Sequence, residues 1–256
     1  MSLLTVEEIS KQYDGVQALD RVSLKIEKAT IKGLIGPNGA GKSTLFHLIT
    51  GIERPDSGKI FFRGIDLTPL EPHEISGLGI GRTFQTVQTW GNMTVVENIM
   101  AGMHLRLKEG IISSGLWLPW IPRAEKEALK EAKEILDLFG LLGRWKSPAS
   151  QLPLGKQRLL ELGRALAMKP DLILLDEPAS GLTPSEIQQL SERISQLRQN
   201  GITFFIVEHH MGMVMDIADE VAVLAYGKVI AEGAPNEVRK DPQAAEAYLK
   251  GIKINA

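Results

Sequence analysis

The feature that most constrains this chain is a glycine-rich segment, Gly36–Thr44, which reads GPNGAGKST and fits the pattern G-x-x-x-x-G-K-[ST]. It follows the apolar run Ile31–Ile35 and precedes Leu45–Ile49, so it lies between a predicted strand and a predicted helix. That context distinguishes a phosphate-binding loop from a glycine-rich turn with a chance lysine. Glycines let successive backbone N–H groups converge on an anion, and the helix N-terminus adds a favourable dipole.

The loop predicts that the chain binds a nucleoside triphosphate together with Mg²⁺. In such loops the lysine reaches the β- and γ-phosphates and the following hydroxyl ligates the metal, which are the roles expected of Lys42 and Ser43. The predicted phosphate-binding residues are Gly36, Pro37, Asn38, Gly39, Ala40, Gly41, Lys42, Ser43 and Thr44.

Two carboxylates follow a second apolar run, Leu172–Leu175. Ligands of parallel sheets bind beyond the carboxyl ends of the strands. Asp176 is therefore predicted to hold the Mg²⁺ shell, and Glu177 to act as general base on the attacking water. The alternative is a solvated acidic strand end, and the phosphate loop favours the catalytic interpretation.

A third apolar run, Thr203–Val207, leads into Glu208, His209 and His210. His209 is predicted to hydrogen-bond the γ-phosphate, whereas His210 receives no role. A histidine after a strand can also be merely exposed to solvent, and that alternative stays open at this point.

The alternation of short apolar runs with helical patterns predicts an α/β fold with a mostly parallel sheet and helices on both sides. Leu3–Tyr13 and Ala18–Ile26 alternate instead and predict an antiparallel β subdomain. Helical patterns dominate the middle of the chain. We therefore expect one domain, 1–256, with a core formed by roughly 1–85 and 166–256 and a helical subdomain at roughly 86–165.

Composition excludes several classes of protein. Net charge is −2, which gives no electrostatic footprint for nucleic acid, so no nucleic-acid partner is expected. There is no cysteine, which excludes disulfides and thiolate metal sites. No window approaches the ~20 apolar residues that a membrane-spanning helix needs, and the N-terminus is unlike a signal peptide, so a cytoplasmic location is expected.

Together these residues resemble the ABC transporter ATPase family, and the resemblance runs nearly end to end. It implies the P-loop NTPase fold. It further implies that Tyr13 stacks on adenine, with a tyrosine packed on the sheet as the alternative, and that Gln85 reaches Mg²⁺ and the water. Ser180–Thr183 occupies the place of the D-loop. The segment Leu152, Pro153, Leu154, Gly155 and Lys156 occupies the place of the signature loop, which contacts ATP in trans.

The detail is similar to the larger ATPase subunit of branched-chain amino acid importers, notably in Arg82–Gln85 and in Val207–His209. The resemblance implies transmembrane permease partners and a peripheral position on the inner face of the cell membrane. An ATPase of another ABC system, such as lipid or lipopolysaccharide export, and a subunit that binds ATP without hydrolysing it are the alternatives.

Two segments of the chain depart from the family pattern. In the signature, Pro153, Leu154 and Lys156 replace a serine, the first glycine and a glutamine, and Thr183 stands where the D-loop has aspartate. Both changes weaken what this chain offers a facing ATP site. They predict a non-identical second ATPase subunit as the partner, although a homodimer remains possible. The apolar segment 116–120 is a possible docking surface, or simply packs on its own subdomain.

Overall fold

The computed structural model describes residues 2–83, 89–104, 123–209 and 211–253. Gln85, His210 and the tryptophan-containing segment 116–120 lie outside the described residues. The described elements, in chain order, are β1 Ser2–Tyr13, β2 Val16–Glu27, β3 Ile31–Ile35, α1 Lys42–Ile49, β4 Ser57–Phe62, β5 Ile65–Asp66, α2 Pro72–Gly77, β6 Ile80–Arg82, α3 Val95–Gly102, α4 Arg123–Leu138, α5 Leu154–Ala167, β7 Leu172–Asp176, α6 Pro184–Gln199, β8 Thr203–Val207, α7 Met211–Ile217, β9 Glu220–Ala225, β10 Lys228–Gly233, α8 Pro235–Val238 and α9 Pro242–Lys253.

The chain separates into two compact units. The first contains Met1–Arg82 and Asp171–Ala256, and the second contains Thr83–Pro170. The predicted helical subdomain, roughly 86–165, falls within the second unit. None of the helices in the described ranges is both long enough and apolar enough to cross a membrane.

The first unit carries two sheets. One is antiparallel in the order β2-β1-β4-β5, and the other has the order β10-β9-β3-β8-β7-β6. In the second sheet β9, β3, β8, β7 and β6 run parallel, while β10 pairs antiparallel with β9. The predicted α/β fold and the antiparallel N-terminal strands are therefore confirmed.

The central strands read as continuous apolar runs because both faces of the sheet are covered. Every residue of β3, β7 and β8 is buried. Helix α1 packs on this sheet through Phe46, whose ring centroid lies 5.1 Å from that of Phe205 in β8. This packing fixes the helix that follows the phosphate loop against the strands that deliver the carboxylates.

Lys32 is the polar exception in β3. Its side chain is buried and its ammonium group donates to the Lys25 carbonyl oxygen and to Glu220 at 2.8 Å, and also contacts Glu232. A buried lysine is tolerated when its charge is paired and its protons are hydrogen-bonded. These bonds link β2, β3, β9 and β10.

Among the described residues of the second unit, α3 and α5 approach closely at a glycine. A Cβ atom on Gly102 of α3 would lie 2.2 Å from the Arg164 carbonyl oxygen of α5. A larger residue at Gly102 would therefore force α3 and α5 apart. A Cβ atom on Gly163 would lie 2.9 Å from the side-chain end of Ile99, which can shift to make room.

Thr183, which departs from the family pattern, has a local structural role. Its hydroxyl oxygen accepts a hydrogen bond from the Glu186 backbone N–H at 3.4 Å, and the Glu186 carboxylate accepts from the Thr183 N–H at 2.9 Å. This reciprocal capping box begins α6, which continues with proline at its first position.

We expect Thr183→Ala to destabilise the protein by about 1 kcal/mol, because the α6 N-terminus loses its side-chain acceptor. In a chain of this size that corresponds to a fall in melting temperature of roughly 2–4 °C. Thr183→Ser keeps the hydroxyl and is the matched control. Equal melting temperatures for Thr183→Ala and wild type, measured by circular dichroism, would show that the cap contributes nothing.

Candidate functional site

Apart from Tyr13, the predicted site residues of the first unit lie at one edge of the parallel sheet. Strand β3 leads into the phosphate loop, β7 ends at Asp176, and β8 ends one residue before Glu208. Because β3 pairs with β8 and β8 with β7, their carboxyl ends are adjacent. The segments that follow these strands therefore lie at the same edge of the sheet, which is where parallel sheets bind ligands.

The loop packs so closely on neighbouring backbone that two of its positions admit only glycine. A Cβ atom on Gly36 would lie 2.0 Å from the Leu224 carbonyl oxygen. A Cβ atom on Gly41 would lie 2.4 Å from the Ala18 carbonyl oxygen, and Gly41 has a φ of +105°. The glycines of the sequence pattern are therefore required by close backbone approach on two sides of the loop.

The same loop contains backbone N–H groups for which the described residues provide no carbonyl acceptor. Gly41 is the N-cap of α1 and provides no side-chain acceptor for the first turn. Within the described residues, the backbone N–H groups of Gly39, Lys42 and Ser43 donate to no carbonyl oxygen outside α1. Helix first-turn donors without protein acceptors are the groups that bind phosphate oxygens.

Lys42 lies under the loop and is buried. Its Nζ donates to the carbonyl oxygens of Gly36 at 2.7 Å and Pro37 at 3.0 Å. Burial lowers the pKa of Lys42 from its usual value, and the nearby carboxylates of Glu177, Asp176 and Glu208 oppose that shift. The site therefore holds a desolvated cation whose countercharges are those carboxylates.

Asp176 is the last residue of β7 and is buried. Arg82 donates to its Oδ2 atom at 3.1 Å. Ser43 lies in the first turn of α1 and is exposed. Hydroxyl and carboxylate oxygens suit Mg²⁺, which is usually bound by one or two such protein groups with water and phosphate oxygens completing the shell. The residues present therefore fit a magnesium ion carried by a nucleotide.

Glu177 follows in an unusual backbone conformation, with φ at +45°. Its N–H donates to the Val207 carbonyl oxygen at 2.8 Å, so the turn after β7 remains tied to β8. His209 Nδ1 lies 3.6 Å from Glu177 Oε2, and the His209 side chain is 55% exposed while that of Glu177 is 15% exposed. The glutamate thus lies beside the histidine, with limited access to solvent.

Glu208 lies next to the predicted catalytic residues, and the residue patterns did not predict its hydrogen bonds to the backbone of the segments that carry them. Its buried carboxylate accepts from the backbone N–H of Ala179 at 2.7 Å and from that of His209 at 2.9 Å. Ala179 belongs to the turn after Glu177, so one carboxylate ties together the two segments that carry Glu177 and His209. The sequence signal for this buried carboxylate is an acidic residue that directly follows a fully buried strand.

Tyr13 lies at the end of β1 with an exposed ring. Its hydroxyl contacts the Glu53 carboxylate, and the Lys11 ammonium lies 5.5 Å from the ring centroid. His47 Nδ1 lies 3.1 Å from the other Glu53 oxygen. Burial, together with the charge of Arg82, lowers the pKa of His47. The tyrosine is thereby fixed through its hydroxyl while its ring stays accessible.

The signature segment lies in the second unit. Pro153 is the N-cap of α5 and supplies no side-chain acceptor. The Gln157 side chain donates a hydrogen bond to the Leu152 carbonyl oxygen at 2.8 Å. Leu154 is exposed and Gly155 is buried, while Lys156 is partly buried. The helix therefore begins with an apolar side chain facing solvent. Gln85, predicted to reach the metal, lies outside the described residues.

Comparison with known proteins relates this geometry to a family. Residues 19–180 match the family described as ABC transporter, and residues 228–249 match that described as branched-chain amino acid ATP-binding cassette transporter. The first match includes the phosphate loop, Asp176 and Glu177. It also includes the signature segment of the second unit.

Individual relatives agree over nearly the whole chain. The LivG branched-chain amino acid transport ATP-binding protein of Escherichia coli K12 is 40% identical over 248 residues, covering 96% of this chain and 97% of the relative. A probable LivG of Archaeoglobus fulgidus is 40% identical over 252 residues, covering 97% and 96%.

A solved structure agrees as well. The ADP conformation of MJ1267, an ATP-binding cassette of an ABC transporter, superposes with a TM-score of 0.85 at 37% identity, covering 97% of this chain and 99% of that one. On the strength of the family match and of these relatives, this chain belongs to the ABC transporter family of ATP-binding cassettes.

Proposed function

We propose that this chain is the ATP-hydrolysing motor subunit of an importer for branched-chain or other amino acids. The observation that carries the proposal is the convergence of three groups at one sheet edge: a loop of free backbone donors, the buried Lys42 and the carboxylates of Asp176 and Glu177. The solute class rests on the printed names of the relatives and on the C-terminal family match.

In this proposal each residue has one role toward MgATP. The backbone of Gly36–Ser43 cradles the phosphates, and Lys42 exchanges its carbonyl partners for phosphate oxygens. Ser43 and Asp176 hold Mg²⁺, together with Gln85, and Thr44 completes the first turn behind the loop. A bound Mg²⁺ neutralises charge that develops on the phosphates during transfer.

In this proposal Glu177 orients and deprotonates the attacking water; its carboxylate is close enough to Lys42 to affect the lysine pKa and is partly accessible to solvent. His209 contacts the γ-phosphate, and its proximity to Glu177 lets the two side chains respond together to loss of that group. Tyr13 offers a ring for stacking on adenine, since its hydroxyl is held by Glu53.

The proposed assembly contains a second ATPase subunit and transmembrane permease subunits, which would hold this chain at the inner face of the cell membrane. Pro153 offers a facing site neither a hydroxyl nor a backbone N–H. That deficit favours a non-identical partner whose signature segment completes the site built on Lys42, Glu177 and His209. No nucleic acid enters the proposal, in keeping with the net charge of −2.

Replacing Glu177 with Gln tests hydrolysis in the assembled transporter. We expect ATP turnover to fall by roughly 100-fold or more, because the amide cannot accept the water proton. ATP binding should persist, since the phosphate loop is unchanged. Glu192→Gln on the exposed surface of α6 is the control. Retention of more than half of the wild-type phosphate release by Glu177→Gln would contradict the role of this residue.

The non-identical partner is tested with the same substitution in the purified chain. In sedimentation with MgATP, we expect Glu177→Gln alone to remain monomeric, because two Pro153 segments would face the two bound nucleotides. Adding Pro153→Ser and Leu154→Gly restores the hydroxyl and backbone donors and should produce a dimer. A stable dimer of the chain carrying only Glu177→Gln would argue for homodimerisation instead.

The turn between β9 and β10 supports the phosphate loop from outside. The Gly227 N–H donates to the Ala40 carbonyl oxygen at 3.1 Å, and the Gly227 carbonyl oxygen accepts from the Asp20 N–H at 2.8 Å. Gly227 has a φ of +74°, and a Cβ atom there would lie 2.9 Å from the Ala18 carbonyl oxygen. The turn therefore joins the loop to the strand that follows Tyr13.

We expect Gly227→Ala to weaken MgATP binding about tenfold, which corresponds to about 1.4 kcal/mol, because the added methyl displaces this support. Gly64→Ala is a matched control in the β4–β5 turn, since Gly64 has a φ of +79° and open space around its Cβ position. Both variants should lose thermal stability from backbone strain, and Gly227→Ala should lose more because its methyl meets the Ala18 carbonyl oxygen. Titration calorimetry should show a loss of MgATP affinity only for Gly227→Ala. Equal affinities of the two variants would rule out the support.

A further inference from the structure

Arg82 is a buried cation that the proposed function leaves without a role. It is the last residue of β6, which pairs in parallel with β7. Arg82 therefore lies on the strand adjacent to the one that ends at Asp176. Its Nη2 atom lies 3.1 Å from Asp176 Oδ2, and the two side chains are only 8% and 7% exposed. An arginine is thus in direct contact with the carboxylate assigned to the metal.

The same guanidinium group is held at its other nitrogen. Nη1 donates to the Thr50 hydroxyl oxygen at 3.1 Å, and that hydroxyl donates to the Phe46 carbonyl oxygen at 2.7 Å. The guanidinium carbon lies 5.8 Å from the Phe46 ring centroid. Thr50 is the C-cap of α1. Arg82 is therefore fixed by the end of the helix that begins at the phosphate loop.

Through these contacts, α1 positions two of the predicted metal ligands, Ser43 and Asp176. Ser43 lies in its first turn, while Thr50, at its end, holds Arg82 and through it Asp176. A planar guanidinium with two separate partners fixes a carboxylate more firmly than the single ammonium of lysine. Because Oδ2 accepts the hydrogen bond from Arg82, the Oδ1 atom is assigned to the metal side.

We propose that Arg82 is a positioning residue that orients Asp176 for Mg²⁺, through its simultaneous bonds to Asp176 and to Thr50. The inference rests on the proposed function, since it concerns the metal that accompanies ATP. Hydrogen-bonding partners of metal ligands change metal affinity by about 10–100-fold when they are removed. An ion pair that served packing alone would instead affect stability without discriminating between metal-bound and metal-free nucleotide.

The chain contains a matched control at the opposite end of the same strand. Arg63 Nη1 lies 2.6 Å from Asp171 Oδ2, just before β7 begins, and these side chains are 46% and 35% exposed. Arg63→Met removes an arginine–aspartate pair that is remote in the strand from Asp176. Arg82→Met removes the pair at the metal end while keeping a side chain of similar length.

The experiment measures the dissociation constant of ATP by calorimetry twice for each protein, once with excess Mg²⁺ and once with EDTA. The dissociation constant in EDTA divided by that with Mg²⁺ gives the factor by which the metal strengthens ATP binding. For Arg82→Met we expect this ratio to shrink by roughly tenfold, with little change in EDTA. Thr50→Val should shrink it in the same direction but less, because Arg82 keeps its charge and loses one anchor. Arg63→Met should leave it unchanged.

Two results would overturn the inference. One is an unchanged ratio in folded Arg82→Met and Thr50→Val, and the other is an equal loss of affinity with and without Mg²⁺. If Arg82→Met fails to fold, Thr50→Val alone decides the question by the same ratio. A wild-type protein that does not bind ATP at all would contradict the proposed function itself. Wild-type binding that benefits from Mg²⁺, with variants that behave identically, would reject only the role of Arg82.

Discussion

The close backbone approach of the phosphate loop to its neighbours is the constraint on which the rest of this structure depends. Gly36 and Gly41 lie so near the carbonyl oxygens of Leu224 and Ala18 that no side chain fits at either position. The loop is therefore held between the parallel sheet and the antiparallel sheet. Its shape is fixed by the surrounding backbone, so its N–H groups are oriented before any ligand arrives.

A balance of buried charge follows from that shape. Lys42 lies under the loop, and Arg82 lies beside the end of β7, so two cations accompany the carboxylates of Asp176, Glu177 and Glu208. Burying a charge is costly unless it is paired and hydrogen-bonded. Glu208 bonds two backbone N–H groups and Asp176 bonds Arg82. The pairing keeps a polar site stable at the edge of an apolar core.

Much of the fold and part of the candidate site could be predicted from local sequence patterns. The predicted α/β fold class is confirmed. Strands β3 and β8 have the predicted bounds, because parallel strands that are buried on both faces consist of continuous apolar residues. Asp176 and Glu177 were predictable since they directly end such a run. The contact between Arg82 and Asp176 was not, because it depends on which strand lies beside β7, and β6 is too short to give a pattern. The capping role of Thr183 has a local sequence signal, because Glu186 follows it by three residues and completes a capping box. The roles of all the predicted site residues stay predictions, those of the phosphate loop, Asp176 and Glu177 as much as those of Tyr13, Gln85, His209 and the signature segment.

The central claim is that this loop and its lysine bind the phosphates of MgATP, and calorimetry of the purified chain with Lys42→Met as the comparison tests it most directly. We expect saturable binding of MgATP to the wild-type chain, and a loss of at least tenfold in affinity for Lys42→Met that circular dichroism shows to be folded, since a hydrogen bond between charged groups contributes about 1.5–3 kcal/mol. Equal binding by the two proteins, or no heat of binding to the wild-type chain, would contradict it.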